Sequence, residues 1–344
     1  MMLFSQRPVG SVTLTTPNGT CLTLNIEDAK ITRASASCAI RKDGGDDIDA
    51  THGTLIYSSI SLSKNGITID GGEGVGRVTK KGVDQPVGNA AINRVPRKMI
   101  SECLEEVSSH NGYSGGFDVI ISVPEGQEIS KRTFNSRLGI IGGISIIGTS
   151  GIVEPMSEKA MIDTMRVEMK VHMEAGAEYL IAVPGNYGKD FLESYPDIPD
   201  ESAVKCSNFI GEALDSALEF GAEGILFVGN LGKLVKVAGG IMNTHSRYAD
   251  CRMEILASAS VTAGLEINEV EKILRCITTD DALDIIHAAG IMDAVCEILS
   301  EKIAFHLDNR VRGKIETAAI VFSSKYGKLF ETDNAENIIK ERKV

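Results

Sequence analysis

The chain has 344 residues, of which 43% are hydrophobic and 24% are charged, and this composition excludes a mainly disordered protein. Its formal net charge of −12 comes from residues 151–344, which hold 20 basic and 32 acidic residues, whereas residues 1–150 hold 15 of each. The acidic second half disfavours nucleic-acid binding there, and we expect no nucleic-acid partner.

The sequence predicts neither a membrane span nor a secretion signal. The longest uncharged stretch, Leu138 to Val153, contains five glycines and has fewer than the ~20 residues that a spanning helix needs. No basic amino-terminal region leads into an apolar one. The seven cysteines have neither Cys-x-x-Cys nor Cys/His ligand spacing, which predicts reduced thiols, a cytoplasmic protein and no structural metal site.

The first half is predicted to contain short strands separated by turns, together with one helix. The strands are expected at Ser11 to Thr15, Cys21 to Ile26, Thr54 to Leu62 and Val119 to Val123. Apolar residues at helical spacing predict a helix from Pro96 to Val107. This pattern indicates an α+β domain, which we place at residues 1–155.

The second half is predicted to alternate helices with buried strands. Helices are expected from about Ser157 to Gly176 and from about Ser202 to Gly221, and each precedes a strand, at Tyr179 to Val183 and at Ile225 to Val228. Such alternation is typical of βαβ units, so we predict an α/β domain with a parallel sheet over residues 156–344.

The rest of the second half adds helices and one strand. A helix is expected at Asn268, where Glu271 completes a capping-box pattern, and another from Thr279 to about Ala289. Thr317 to Ser323 is expected to be a late strand of the same sheet, and a charged terminal helix is expected from Asn334.

Two predicted parallel strands end in glycine-containing loops, where open sheets bind ligands. The candidate ligand-binding residues are Gly185 and Asn186 in the first loop, and Gly229, Asn230, Gly232 and Lys233 in the second. Each loop alone is equally compatible with a tight turn. The second loop lacks the spacing and the hydroxyl residue of a Walker A motif, which disfavours a P-loop ATPase.

The run Asn243 to Arg252, called the polar run below, is expected to be a loop and a helix start. His245 is a candidate acid or base, Asp250 a candidate to orient it or to bind a ligand, and Ser246 a candidate ligand contact. The alternative is that Asn243 or Ser246 caps a helix while His245 forms only local hydrogen bonds.

Basic residues concentrate in the first half. Five of them are candidates for binding a polycarboxylate, since arginine pairs bidentately with carboxylates: Arg77, Lys80, Arg94, Arg97 and Arg137. The alternative is a solvated face. The acidic turn from Gly44 to Asp49 is either a metal or base site or a solvated turn.

Several blocks resemble the cobalt-precorrin-5B C1-methyltransferase family and follow its order along most of the chain. They are Lys42 to Asp47, Asp49 to Gly53, Gly72 to Lys80, Pro86 to Gly88, Ala91 to Arg97, Lys131 to Ser157, Ser207 to Glu212, Gly229 to Lys236 and Asn243 to Arg252. Asn208, which lies in one of these blocks, is a further candidate cofactor residue by its position in the chain.

The resemblance implies a first domain like domain 2 of ribosomal protein S5 in permuted order and a second α/β domain with a parallel sheet. It implies methyl transfer from S-adenosyl-L-methionine to ring carbon C1 of cobalt-precorrin-5B, giving cobalt-precorrin-6A in anaerobic cobalamin biosynthesis. The partner is then a cobalt-bearing tetrapyrrole, the protein itself needs no metal, and a homo-oligomer is possible. The acidic second half is expected to suit a cationic sulfonium.

One departure from the family concerns the start of the chain. The family usually opens with a glycine–tyrosine–threonine–threonine–glycine block and an alanine-rich helix, whereas this sequence is expected to begin, at Met1, with the strand after that helix. If the block completes the site, the chain is expected to be inactive. A tetrapyrrole-binding protein without catalysis and a small-molecule kinase are the alternative functions.

Overall fold

The computed structural model describes residues 1–46, 50–148, 150–153, 157–185, 187–192 and 202–341. The chain divides into two compact units, Met1–Glu158 and Lys159–Val344. Both units combine helices with β-sheets, so the protein belongs to the mixed α/β class.

The first unit is built on a five-stranded sheet with the order β3-β4-β5-β8-β6. Only the β6–β8 pair is parallel, and two further two-stranded ribbons pair β1 with β2 and β7 with β9. Its elements are α1 (Met2–Ser5), β1 (Ser11–Thr15), β2 (Cys21–Asn25), β3 (Glu27–Ile31), β4 (Ser35–Arg41), β5 (Leu55–Ser63), β6 (Ile67–Gly71), β7 (Arg77–Val78), α2 (Arg94–Asn111), β8 (Gly116–Ser122), α3 (Gly126–Ser130) and β9 (Ile140–Ile141).

The core of the first unit lies on one face of its sheet. Phe117, Val119 and Ile121 alternate along β8, so they share a face, and all three are buried in a cluster that includes Leu104 of α2. The period of two along β8 and the helical period along α2 thus place their apolar residues against each other.

The second unit is built on a sheet with the order β11-β10-β12-β13-β14, in which the first four strands are parallel and β14 is antiparallel. Its elements are α4 (Glu158–Glu174), β10 (Tyr179–Val183), α5 (Tyr187–Leu192), β11 (Ala203–Lys205), α6 (Ile210–Glu219), β12 (Gly224–Asn230), α7 (Leu231–Leu234), α8 (Arg252–Thr262), α9 (Ile267–Leu274), α10 (Thr279–Ala288), α11 (Met292–Val311), β13 (Glu316–Ser323), β14 (Gly327–Glu331) and α12 (Ala335–Glu341). The parallel sheet and the late strand predicted from the sequence are confirmed.

Apolar side chains are buried on both faces of this sheet, in two separate clusters. Phe227 of β12 belongs to one cluster, while Leu226 and Val228 belong to the other. Burial on both faces explains why β12 is an almost continuous apolar run in the sequence.

Three sequence-based expectations are wrong, and one helix was not predicted. Residues Ala203–Lys205 form β11, because they complete the sheet beside β10, and the helix predicted from Ser202 begins only at Ile210. The helix expected at Asn268 begins at Ile267 without a side-chain cap, and the capping box lies instead on α10, between Thr278 and Asp281. Met2–Ser5 is helical, not extended. The long helix α11 was not predicted.

No helix within the described residues is both long and apolar enough to cross a bilayer.

Candidate functional site

A cavity of about 410 Å³ lies beyond the carboxyl ends of β10, β11 and β12 in the second unit. Because parallel strands share the direction of their carboxyl ends, the segments that follow them converge at one edge of the sheet. Six predicted site residues line this sheet-edge cavity: Gly185, Asn208, Asn230, Gly232, Lys233 and Ser246. The sequence analysis missed five further lining residues: Pro184, Ser207, Lys236, Thr244 and Arg252.

The loops after β10 and β11 are joined by backbone contacts. Gly185 has φ of 78°, a conformation that favours glycine, and its N–H donates to the carbonyl of Ser207 at 3.0 Å. Ser207 itself adopts φ of 54°, although it is not a glycine. A non-glycine residue in this region costs free energy that its surroundings must offset, and only the structure reveals it.

Asn208 connects the second loop to the polar run. Its Oδ1 accepts hydrogen bonds from the Lys233 ammonium and, at 3.3 Å, from the Thr244 hydroxyl. The backbone N–H of Thr244 also donates to the Asn208 carbonyl at 2.9 Å. These bonds orient the Asn208 amide so that its NH₂ group is a donor, and that group has no acceptor among the described residues.

The turn after β12 is fixed by Asn230. Its Oδ1 accepts from the Gly232 N–H at 2.9 Å and so caps the one-turn helix α7, which carries Lys233. Gly229 lies beneath this turn and is not among the lining residues. A Cβ added at Gly229 would lie 2.7 Å from Cγ of Pro184 and 3.1 Å from Cδ1 of Leu234, so the position requires glycine for packing.

Lys236 is buried beneath the polar run, with 2% of its surface exposed. Its ammonium donates to the carbonyls of Thr244 at 3.1 Å and Ala249 at 2.8 Å. These two bonds fix the backbone of the polar run near its start and near its end. Nothing in the sequence distinguishes Lys236 from a surface lysine, which is why it was missed.

Asp250 pairs with cations and not with His245. Arg252 donates to its two carboxylate oxygens at 2.5 and 3.0 Å, and the Lys236 ammonium lies 3.7 Å away. The hydrogen bond from Arg252 holds the pKa of Asp250 below its ordinary value, so Asp250 is an ionised carboxylate at neutral pH.

The cavity itself is positively charged, with Lys233, Lys236 and Arg252 among its lining residues. Burial lowers the pKa of Lys233, and the neighbouring positive charges of Lys236 and Arg252 lower it further. Burial also lowers the pKa of Lys236, which Asp250 partly offsets. The acidic composition of the second half therefore does not describe the charge inside this cavity.

His245 is exposed in the polar run and forms hydrogen bonds with its sequence neighbours, while the N-cap of α8 is Cys251 and not Asn243 or Ser246. Its backbone N–H donates to Oδ1 of Asn243, and its Nδ1 accepts from the N–H of Arg247, both at 3.1 Å. Nδ1 is therefore an acceptor, and Nε2 is the ring nitrogen that carries the proton in the neutral side chain.

The predicted cationic residues of the first unit have different partners. Arg77 pairs with both oxygens of Asp70 at 2.6 and 2.9 Å, and Arg94 donates its Nε–H to Asp84 at 2.8 Å. The Lys80 ammonium lies 3.5 Å from the carbonyl of Arg137. Arg77, Lys80 and Arg94 are nevertheless exposed, so a ligand can reach them from solvent.

Arg97 is committed to the protein backbone. Its guanidinium donates to the carbonyls of Ile92 and Ile69, both at 2.7 Å, and of Ala90 at 3.3 Å. These bonds connect α2 with β6 and the chain before α2, so Arg97 stabilises the first unit.

Two predicted features fall partly or wholly outside the described residues. Asn186 lies wholly outside them, and the acidic turn lies partly outside them, at residues 47–49. Among the residues that the structure describes, no group of three or more His, Cys, Asp or Glu side chains is arranged to hold a metal ion.

The family model described as CbiD matches residues 1–155, and the model described as "CbiD, C-terminal domain" matches residues 243–333. Proteins named cobalt-precorrin-5B C(1)-methyltransferase are similar over most of their length. That of Ruminiclostridium cellulolyticum is 45% identical over 346 residues, covering 99% of this chain and 90% of its own. That of Alkaliphilus metalliredigens is 43% identical, covering 98% and 89%.

A crystal structure described as the cobalamin biosynthesis protein CbiD of Archaeoglobus fulgidus is 26% identical, with a TM-score of 0.37, and the match covers 72% of this chain and 77% of that one. The two family models and the near full-length relatives together establish the assignment. The chain belongs to the CbiD family, whose similar curated members are named cobalt-precorrin-5B C(1)-methyltransferase.

Proposed function

We propose that this protein methylates carbon C1 of cobalt-precorrin-5B to give cobalt-precorrin-6A in anaerobic cobalamin biosynthesis, with S-adenosyl-L-methionine as the methyl donor. The observation that carries this proposal is the 45% identity to a protein of that name over 99% of this chain and 90% of the relative.

The sheet-edge cavity is the proposed donor site. Bound there, the donor would supply an electrophilic methyl carbon on its sulfonium. Asn208 and the ammonium of Lys233 offer hydrogen bonds to the donor, and Gly185 and Gly232 allow close approach of the backbone. Asn230 fixes the turn that carries Lys233, Gly229 allows that turn to pack, and Asn186 is proposed from its sequence position. Methyl transfer depends mainly on positioning, which such a rigid edge provides.

Cations of the first unit are the proposed contacts for the carboxylates of the tetrapyrrole. Arg77 of β7 lies directly opposite Ile141 of β9, and both are exposed, so a cation and an apolar side chain share one face. Lys80, Arg94 and Arg137 are proposed to add charge, and Arg97 to hold the framework. Such a combination suits a flat apolar ring that carries acidic arms. Ser246 of the second unit is proposed as a further substrate contact.

His245 is the proposed proton-handling group. Its Nδ1 accepts from the backbone of Arg247, which leaves Nε2 to hold or move a proton. We propose that Asp250 acts through Lys236 and Arg252, whose charges it balances, and that it does not orient His245.

Four broader predictions accompany this function. The first unit is proposed to have a permuted fold like domain 2 of ribosomal protein S5, with a functional division of the chain near residue 155. The location is proposed to be cytoplasmic, and the protein to form a homo-oligomer.

The test is an anaerobic reaction of the purified chain with cobalt-precorrin-5B and methyl-¹³C-labelled donor. The expected result is a product heavier by one labelled methyl group, whose ¹³C signal is assigned to C1. A His245→Gln variant should bind the tetrapyrrole but turn over slowly, whereas a Lys272→Met variant should match the parent. Tight tetrapyrrole binding with no methylation would instead favour the binding-protein alternative.

A further inference from the structure

The sheet-edge cavity has a charge imbalance that the proposed function does not by itself explain. Three cationic side chains line it, from Lys233, Lys236 and Arg252, and none of its described lining residues is Asp or Glu. The carboxylate of Asp250 pairs with Arg252 and lies 3.7 Å from Lys236. Lys233 forms no ion pair with any described residue, and its described hydrogen-bond partner is the neutral amide of Asn208.

The cavity also contains hydrogen-bond donors that the protein does not use internally. Arg252 donates to Asp250 through Nε and one terminal nitrogen, so its other terminal nitrogen has no partner among the described residues. The NH₂ group of Asn208 and the hydroxyl of Ser246 likewise have none there. Donors around an unbalanced positive charge are the partners that a carboxylate group requires.

We propose that the sheet-edge cavity binds a carboxylate group, which is held between the ammonium of Lys233 and the free edge of the Arg252 guanidinium. A sulfonium is disfavoured inside the cavity, because it would lie close to the like charges of Lys233, Lys236 and Arg252. The methyl donor would therefore enter with its amino-acid carboxylate, leaving the sulfonium outside. The site's volume of about 410 Å³ has room for an acidic chain and not only for a small ion.

This inference rests on the proposed function for its choice of a carboxylate, because both reactants carry one. The group comes either from the amino-acid end of the donor or from an acidic arm of the tetrapyrrole. The two sources present the same chemistry to Lys233 and Arg252. They differ in the rest of the molecule, so separate probes distinguish them.

The first experiment uses the unaltered protein and measures acetylation of individual lysines by mass spectrometry. S-adenosylhomocysteine, 5′-methylthioadenosine, uroporphyrin or malonate is added as a probe, of which only methylthioadenosine lacks a carboxylate. The carboxylate probes that enter the cavity should slow acetylation of Lys233, while methylthioadenosine should not, and exposed Lys272 should react equally throughout. Unchanged acetylation of Lys233 with every carboxylate probe would overturn the proposal.

The second experiment measures binding of the same probes by calorimetry to Lys233→Met and to Arg252→Met, with Lys272→Met and Arg275→Met as matched controls. Loss of a charge-assisted hydrogen bond should weaken carboxylate binding by about tenfold or more and leave methylthioadenosine unaffected. Weakening confined to S-adenosylhomocysteine identifies the donor as the source, and weakening confined to uroporphyrin identifies the macrocycle. Equal binding by parent and variants contradicts the proposal.

The two proposals fail separately. If the chain transfers no methyl group but carboxylates still protect Lys233 from acetylation, the carboxylate site is supported and the proposed function is contradicted. If methyl transfer proceeds normally in both Lys233→Met and Arg252→Met with unchanged KM values for both reactants, the proposed function is supported and the carboxylate site is contradicted.

Discussion

The ammonium of Lys236 lies 3.7 Å from the carboxylate of Asp250, beneath a run of residues that it also holds by two backbone carbonyls. Asp250 in turn pairs with Arg252 at the start of α8. One buried lysine thus connects the turn after β12, the polar run and the next helix. The position of His245 and Ser246 depends on this arrangement, because both lie between the two carbonyls that Lys236 binds.

Replacing Lys236 with Met should lower the free energy of unfolding by about 2–4 kcal/mol. The methionine can occupy the same space, but the carbonyls of Thr244 and Ala249 lose their buried donor. Urea unfolding followed by circular dichroism measures this change. Lys272→Met is the control, since its exposed ion pair with Glu269 should contribute less than ~0.5 kcal/mol. An unchanged urea midpoint for Lys236→Met would show that water replaces the ammonium.

Arg97 and Arg94 offer a matched comparison on the first turn of one helix. Arg97→Met should destabilise the protein by about 2–3 kcal/mol, since three backbone carbonyls lose a charged donor. Arg94→Met should cost less than ~1 kcal/mol, because its side chain is 84% exposed and pairs at the surface. Thermal unfolding of both variants tests the contrast. Equal losses would mean that the bonds of Arg97 are replaced by solvent.

Local patterns in the sequence were sufficient to predict much of the secondary structure. Ser11–Thr15 alternates polar and apolar residues as a half-buried strand does, and Tyr179–Val183 and Ile225 to Val228 are short apolar runs bounded by turns, which is typical of buried strands. Ala203–Lys205 was predicted as helix, because three residues carry no period and their strand exists only beside β10. The buried residues of α11, from Val295 to Val311, follow one face, but the helix was missed because further apolar residues such as Ile298 and exposed Phe305 lie off that face and obscure the period.

The position of the candidate cavity was also predictable, since ligand sites follow the carboxyl ends of parallel strands. The charge inside the cavity was not predictable from the sequence. The composition of residues 151–344 predicted an acidic site, whereas the side chains of Lys233, Lys236 and Arg252 converge there through the fold. Neither the burial of Lys236 nor the pairing of Asp250 with Arg252 in place of His245 has a signal in the sequence.

Gly229 and Gly232 lie in one turn but should respond differently to substitution by alanine. At Gly229 the new Cβ would lie 2.7 Å from Pro184, so we expect a loss of about 1–3 kcal/mol in stability and, through the displaced turn, weaker donor binding. At Gly232 the nearest atom would be 3.2 Å away, on the side chain of Asn230, so stability should change by less than ~1 kcal/mol. Unfolding and donor binding are measured on each variant. Wild-type stability of Gly229→Ala would contradict the packing role.

The buried thiols of Cys206 and Cys296 should make the protein less stable in alkaline solution. Burial raises the pKa of Cys206 from its ordinary value of 9.0 to about 12, and that of Cys296 to about 11. Below pH 9 both states keep the proton, and the stabilisation is complete. Above pH 9 the unfolded thiols ionise while the folded ones do not, so each thiol should remove about 1.4 kcal/mol of stability per pH unit until its folded pKa is reached.

The measurement is urea unfolding between pH 8 and pH 10.5, comparing the parent with Cys206→Ala/Cys296→Ala. The variant has a lower stability at pH 8 because of the cavities, but its stability should fall less steeply with pH, since other titrating groups are common to both proteins. Alkylation at pH 8 gives an independent check: exposed Cys21 and Cys251 should react in the folded protein, and the two buried thiols only after unfolding. Equal slopes in parent and variant would mean that these thiols ionise alike in the folded and unfolded states.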